Sequence, residues 1–269
     1  MPNKYFQIDG IATFVQHTGP STLPGAPPGT GPGQAVLCLH GWGGNGHLFA
    51  GLFGSLAPAH SLLAFDLPGH GRSGSLDSLG AIDKMASFTL ALMERLGLDS
   101  PVLVGHDMGA AVALECAAME PGRVAGLVLC AAGDRFELSD EALDLARRVS
   151  QGKERRPFDP AAFSRETPPE IMKKAFTEGL KTDPRATYGD LQACRDWAPG
   201  DRLAGLAQPA RVIYGEDETD GVKAAAASLA EALPSARLET IPAAGHALLL
   251  EAPEALGARI AAFLEEEMA

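Results

Sequence analysis

The 269-residue chain lacks the patterns that build metal sites and disulfide frameworks. Its four cysteines, Cys38, Cys116, Cys130 and Cys194, include no Cys-x-x-Cys pair, and no two histidines stand at His-x-x-x-His spacing. Cys38 and Cys130 lie in apolar, strand-like runs, Cys116 in an alanine-rich helical stretch and Cys194 in another helical stretch. All four therefore read as reduced core thiols of a cytoplasmic protein. Basic residues are scarce. Against 34 Asp and Glu, 22 Lys and Arg leave a net charge of −12, which disfavours nucleic acid and anionic membrane surfaces as partners. No apolar run is long enough to cross a bilayer, and the first residues lack the basic-then-apolar pattern of an export signal. What remains is a soluble chain acting on a small molecule, with no metal or cofactor expected and a homodimer left open.

A hydrophobic content of 46% is ample for a core, and the pattern says how that core is organised. Residues 5–8 and 11–15 alternate around Asp9-Gly10, a hairpin signal. The stretch 19–33 (GPSTLPGAPPGTGPG) has no apolar period and reads as a surface loop. Strand patterns then follow at 35–39, 61–65, 101–104, 124–130, 210–214 and 236–241. They alternate with helical patterns near 46–56, 81–96, 110–119, 222–232 and 247–266. Apolar strand runs separated by helices imply a mostly parallel sheet covered on both faces. Between 134 and 206 the rhythm breaks. That stretch offers two helical patterns, one at 138–149 placing Leu143, Ala146 and Val149 on one face, the other starting at Thr167-Pro168-Pro169-Glu170. The expected division is a core of 1–133 and 207–269 with a helical cap inserted at 134–206.

The most informative stretch is Val104-Gly105-His106-Asp107-Met108-Gly109-Ala110, a Gly-x-X-x-Gly joint between a strand and a small-residue helix. Such a joint is a sharp turn that presents its central side chain at the carboxyl edge of the sheet. Most joints of this kind carry Ser, inert until a base removes its proton. Here Asp107 stands in that place and is expected to be ionised at neutral pH. A carboxylate attacking an ester gives an anhydride that collapses back, whereas attack on a saturated carbon leaves a stable ester. The chemistry therefore points to displacement at an sp3 carbon.

Five motifs in order make the chain resemble the α/β-hydrolase superfamily over nearly its whole length. They are His40-Gly41-Trp42-Gly43-Gly44, Asp66-Leu67-Pro68-Gly69-His70-Gly71-Arg72-Ser73, the Gly105–Gly109 elbow, Tyr214-Gly215-Glu216-Asp217-Glu218 and Ala244-Gly245-His246. The resemblance implies an eight-stranded, mostly parallel sheet with helices on both faces. It also implies a catalytic set of Asp107, His246 and an acid, with Glu218 favoured over Asp217 because it lies three residues past the Gly that closes the seventh strand. The backbone N–H groups of Trp42 and Met108 would form the oxyanion hole, while His40, His106 and the 66–73 motif would shape loops. In the cap, Tyr188 is a candidate proton donor. Met172 and Phe176, with Phe163 and Leu180, are candidates to wall the substrate pocket, and Trp197 would anchor the cap to the core.

Within the superfamily the motifs pull two ways. An Asp nucleophile is similar to epoxide hydrolases and haloalkane dehalogenases. Dehalogenation is disfavoured because Met108, not Trp, follows the nucleophile and offers no side-chain N–H to a halide. Epoxide hydrolases typically carry His-Gly-x-Pro and two cap tyrosines, where this chain has Gly43 and only Tyr188. The oxyanion loop looks more like that of esterases, lactonases and carbon–carbon bond hydrolases. The leading expectation is epoxide opening through an Asp107 ester. The alternative is hydrolysis of an ester, lactone or carbon–carbon bond with Asp107 as general base. A non-catalytic receptor that keeps only the capped pocket is the lesser alternative.

Overall fold

The computed structural model describes residues 3–18 and 33–268; all of the expected surface loop but its last residue, Gly33, lies outside the described residues. In chain order the elements are β1 (Asn3–Ile8), β2 (Ile11–His17), β3 (Ala35–Leu39), α1 (Ala50–Leu56), β4 (Ser61–Phe65) and α2 (Ile82–Leu96). Next come β5 (Val102–His106), α3 (Met108–Met119), β6 (Gly126–Cys130), α4 (Asp140–Ser150), α5 (Pro169–Gly179) and α6 (Pro184–Asp196). The chain closes with β7 (Ala210–Gly215), α7 (Asp220–Ala232), β8 (Ala236–Ile241), α8 (Leu248–Glu251) and α9 (Pro253–Glu267).

The eight strands form one sheet in the order β1-β2-β4-β3-β5-β6-β7-β8. β1 and β2 are joined antiparallel through Asp9 and Gly10, both at positive φ, as a tight hairpin requires. β2 runs antiparallel to β4, and from β4 to β8 every pairing is parallel. The central strands are apolar at nearly every position because helices cover both faces, and the two-residue period sorts their side chains. Leu37, Leu39, Leu103, Leu127 and Leu129 enter one core with residues of α2, α3 and α7. Val36, Cys38, Val102, Val104 and Val128 enter the other, with α1, α8 and α9. Among the described residues no helix is long and apolar enough to cross a membrane.

Three local differences from the sequence pattern have simple causes. The pattern at 247–266 is broken into α8 and α9 because Pro253 excludes helical geometry from Ala252, which takes φ −137° and ψ 50°. The pattern at 46–56 opens with a 3-10 turn, Gly46–Phe49, capped by the Asn45 side chain. Between β6 and β7 there are three α-helices, not two. α6 has few large apolar side chains and so shows almost no apolar period, yet it begins on Asp183-Pro184, with the Asp183 carboxylate accepting from the Arg185 N–H. It packs against α4.

Candidate active site

The turn from β5 into α3 places Asp107 at the carboxyl edge of the sheet with φ 52° and ψ −119°, a conformation costly for a residue with a Cβ. Gly109 makes the turn possible, since a Cβ there would lie 2.2 Å from the Leu39 carbonyl oxygen. The Asp107 side chain is buried, and its Oδ2 accepts from the Trp42 N–H at 3.3 Å. The Met108 N–H, at the start of α3, also stabilises the charge of this carboxylate. The two amides expected to receive a substrate oxyanion thus hold the carboxylate of Asp107 itself. Burial raises Asp107 to about 6, tempered by the charge of His246 and by these two N–H groups. The carboxyl group is less acidic than the sequence alone suggests, though still mainly ionised at neutral pH.

His246 sits in the loop after β8, and its Nδ1 lies 2.9 Å from Glu218 Oε2. The acceptor for His246 is Glu218, not Asp217, whose carboxylate accepts instead from the Ser164 hydroxyl. Burial opposes a charge on His246, but the Glu218 hydrogen bond and the charges of Asp107, Glu218 and Glu251 outweigh it and lift the imidazole to about 9. Glu218, buried as well, stays below the ordinary range because His246 and the Thr219 N–H stabilise its charge against that burial. The loop is clamped by Glu251, which accepts from the Gly245 N–H at 3.0 Å and the Ser164 N–H at 2.8 Å.

The other histidines of the motifs hold backbone. His40 donates from Nδ1 to the Gly41 carbonyl and accepts the Leu67 N–H at Nε2, a neutral tautomer that burial and the neighbouring His70 keep neutral by pushing it to about 3. His106 donates from Nε2 to the His246 carbonyl at 2.8 Å, and burial holds it near 4. His70 is different. Both its nitrogens face acceptors, the Pro68 carbonyl at 3.0 Å and Asp190 Oδ2 at 2.7 Å, so it is a buried imidazolium. Burial works against that charge, and Asp190 more than compensates. Asp190 Oδ2 also accepts the Gly43 N–H at 3.0 Å, so α6 holds the loop that carries Trp42. Nothing in the sequence marks Asp190, because its partners lie more than a hundred residues away.

A cavity of about 490 Å³, walled largely by apolar side chains, lies over this edge. A second of about 350 Å³ contains Asp107 and Glu218, and the two meet at Trp42, Ala162 and His246. Phe163 and Phe176 wall the larger one, with Ala146 and Val149 of α4, whereas Leu143 is buried outside its wall. Two expected wall residues are elsewhere. Met172 faces a shallow outer depression with Phe158 and Lys173, and Leu180 is 58% exposed. Tyr188 lines neither cavity. On α6 the wall positions are Pro184, Thr187 and Leu191, and Tyr188 lies a helical step of about 100° off that stripe. Trp197 is buried, its ring 5.8 Å from that of Phe136.

A sequence profile described as "Alpha/beta hydrolase family" matches residues 36–259. The chain is 30% identical, over 87% of its length, to the dihydrolipoyllysine-residue acetyltransferase component of an acetoin cleaving system from Pseudomonas putida, and covers 64% of that protein. The chain thus spans just under two thirds of the first curated relatives it matches. It is also 30% identical to a pimeloyl-[acyl-carrier protein] methyl ester esterase from Chromobacterium violaceum, over 88% of this chain and 96% of the other. Among solved structures, the enol-lactonase of Burkholderia xenovorans LB400 superposes with a TM-score of 0.86 at 21% identity, over 97% of this chain and all of the other, a likeness of fold.

Proposed function

The chain belongs to the alpha/beta hydrolase family, and from that premise we propose that it hydrolyses a small ester or lactone with Asp107 as general base. The observation that carries this reading is the burial of Asp107, which raises its proton affinity, beside a His246 whose Nδ1 is held by the Glu218 carboxylate. With Asp107 near 6 and His246 near 9, the pair stands at neutral pH as carboxylate and imidazolium. His246 already holds its proton and cannot be the first base; Asp107, poised just below neutrality, can. Water gives a proton to Asp107 as its oxygen adds to the substrate carbonyl. The imidazolium, oriented by Glu218, takes the developing negative charge by hydrogen bonding and passes its proton to the departing oxygen. Asp107 then returns its proton to His246, leaving acid and alcohol. The Trp42 and Met108 amides keep the base in place. The methyl ester esterase of similar length supports carbonyl chemistry in this scaffold. The helices between β6 and β7 serve here as the cap that excludes bulk water.

One observation favours a second reading. The amides that would receive a substrate oxyanion already hold the Asp107 carboxylate, which suits a carboxylate attacking saturated carbon, as in epoxide opening. An ester on Asp107 would remove one of the charges that raise His246, which could then activate water against that ester. With Tyr188 off the cavity wall, the His246 imidazolium would protonate the opening oxygen.

A single turnover in heavy-oxygen water separates the two. The first reading expects label in the product acid and none in the Asp107 peptide. Label in the Asp107 peptide, with an epoxide accepted and esters refused, would replace it by the second. The pH profile is a further check. For an ester, kcat/KM is expected to rise as pH passes about 6, where Asp107 loses its proton, and to fall past about 9, where His246 loses its own. A profile still climbing through 9 would contradict an imidazolium acid.

A further inference from the structure

The larger cavity is walled largely by apolar side chains, and the ionisable residues of its lining are His106, Asp159, His246 and Arg156. The Arg156 guanidinium donates from Nη1 to the Gly179 carbonyl, and from Nη2 to the Thr182 carbonyl at 3.1 Å and the Thr187 hydroxyl at 3.2 Å. All three partners are neutral. These bonds occupy three of the five N–H groups, and among the described residues no carboxylate forms an ion pair with the guanidinium. The acidic side chain whose charge reaches it, Asp183, is already forked by Arg185, with both contacts at 3.1 Å. Asp159 also lines the cavity, but its carboxylate accepts from the Ala161 N–H. A guanidinium does not give up its charge, and a charge facing an apolar cavity without a counter-ion is costly.

The surroundings say where a counter-ion would sit. Phe158 stacks on Phe163 at 5.9 Å and meets Phe176 edge-on at 6.0 Å, giving an aromatic wall to the cavity that Arg156 also lines. Thr187 bridges Arg156 to the reactive edge, since a Cβ built on Gly43 would lie 3.1 Å from its hydroxyl oxygen. One residue before Gly43, the Trp42 N–H rests on Asp107. Only the Trp42-Gly43 step, roughly 4 Å of backbone, separates the contact of the base from the contact of Thr187.

We propose that Arg156 and Thr187 form a carboxylate-binding subsite, so that the substrate is an ester or lactone carrying a free carboxylate a few bonds from the scissile carbonyl. This rests on the ester or lactone reading for the reaction and adds the chemical class of the acyl part. The competing role for Arg156 is a tie on the Gly179 carbonyl that ends α5 and the Thr182 carbonyl after it, which would need no substrate charge.

The test compares two substrates on the whole protein: a monomethyl ester of a short dicarboxylic acid, and the same chain ending in a neutral primary amide. The wild type is expected to prefer the carboxylate substrate, and Arg156→Gln to shrink that preference roughly ten- to hundredfold, mainly through KM. Arg156→Lys is expected to restore part of it. An unchanged ratio in Arg156→Gln, or equal losses on both substrates with a lowered melting temperature, would overturn the subsite and leave the tie. Calorimetry with free glutarate keeps the two readings apart. Glutarate binding that is lost in Arg156→Gln but kept in Arg156→Lys, in a protein that cleaves no ester, upholds the subsite and overturns the reaction. Esters cleaved without charge preference, and no glutarate binding, do the reverse.

Discussion

Replacing Asp107 by asparagine is expected to lower turnover by about a hundred- to ten-thousandfold while leaving the fold at least as stable as the wild type. The amide matches the carboxyl group in shape and can still accept from the Trp42 and Met108 N–H groups, so the elbow keeps its form. What is lost is the negative charge, which the proposed mechanism needs to take a proton from water. The stability half of the result follows from the direction of the shift. Folding raises Asp107 from 3.8 to about 6, so above that value the native state carries an ionised group that the unfolded chain holds more easily. Below the ordinary carboxylate range both states are protonated and the penalty vanishes. Removing the charge recovers up to about 3 kcal/mol at neutral pH. Part is given back, because His246 loses a counter-charge and falls from about 9. Urea denaturation at pH 7 beside an ester assay checks both halves. Activity within tenfold of wild type would remove Asp107 from the reaction.

The second large effect concerns stability. Asp190→Ala is expected to cost about 3–5 kcal/mol, because it strands an imidazolium in the interior and leaves the Gly43 N–H without its acceptor. Both side chains of the His70–Asp190 pair are fully buried, so neither can turn to water. The loss has a pH signature. The pair lifts His70 above its ordinary value, so its contribution is complete below about 6.5 and fades as pH rises through the folded value. The deficit of Asp190→Ala, read from denaturation midpoints, should therefore be larger at pH 6 than at high pH. Asp190→Asn should fall between wild type and alanine. A deficit below about 1 kcal/mol for alanine would show that the interior tolerates the unpaired imidazolium.

How much of this is legible in the sequence depends on how far apart the interacting residues lie. The sheet, its covered faces and the elbow rest on periods and turn chemistry spanning a few residues, and 5–8, 61–65 and 236–241 fold as their patterns imply. His246 and Glu218 stand out because each follows a strand end that the sequence already marks. The pocket walls are harder. Tyr188 recommends itself by its hydroxyl, although the helix containing it points Thr187 and Leu191 at the cavity. Met172 and Phe176 share a helical stripe, but only Phe176 reaches past the rim. Asp190 and Arg156 leave no local sign at all. A charged residue in a polar helix or a basic run reads as solvated, and only tertiary contacts reveal which one is drawn inward. The motifs bring the Trp42 and Met108 amides together, yet what they hold cannot be foreseen, since a Ser in place of Asp107 would leave them open.

The segment between β6 and β7, helices and loops together, supplies most of the larger cavity's walls as one uninterrupted stretch of chain, whereas the reactive groups come from loops scattered on either side of it. A new substrate can therefore be inherited by recombination of a single gene segment, with two junctions and no change to the chemistry. Asp190 sets the condition on such grafts. An incoming segment must carry an acceptor at the same turn of its last helix, or His70 must be replaced along with it. Donor segments can be sorted by that one position before any is made.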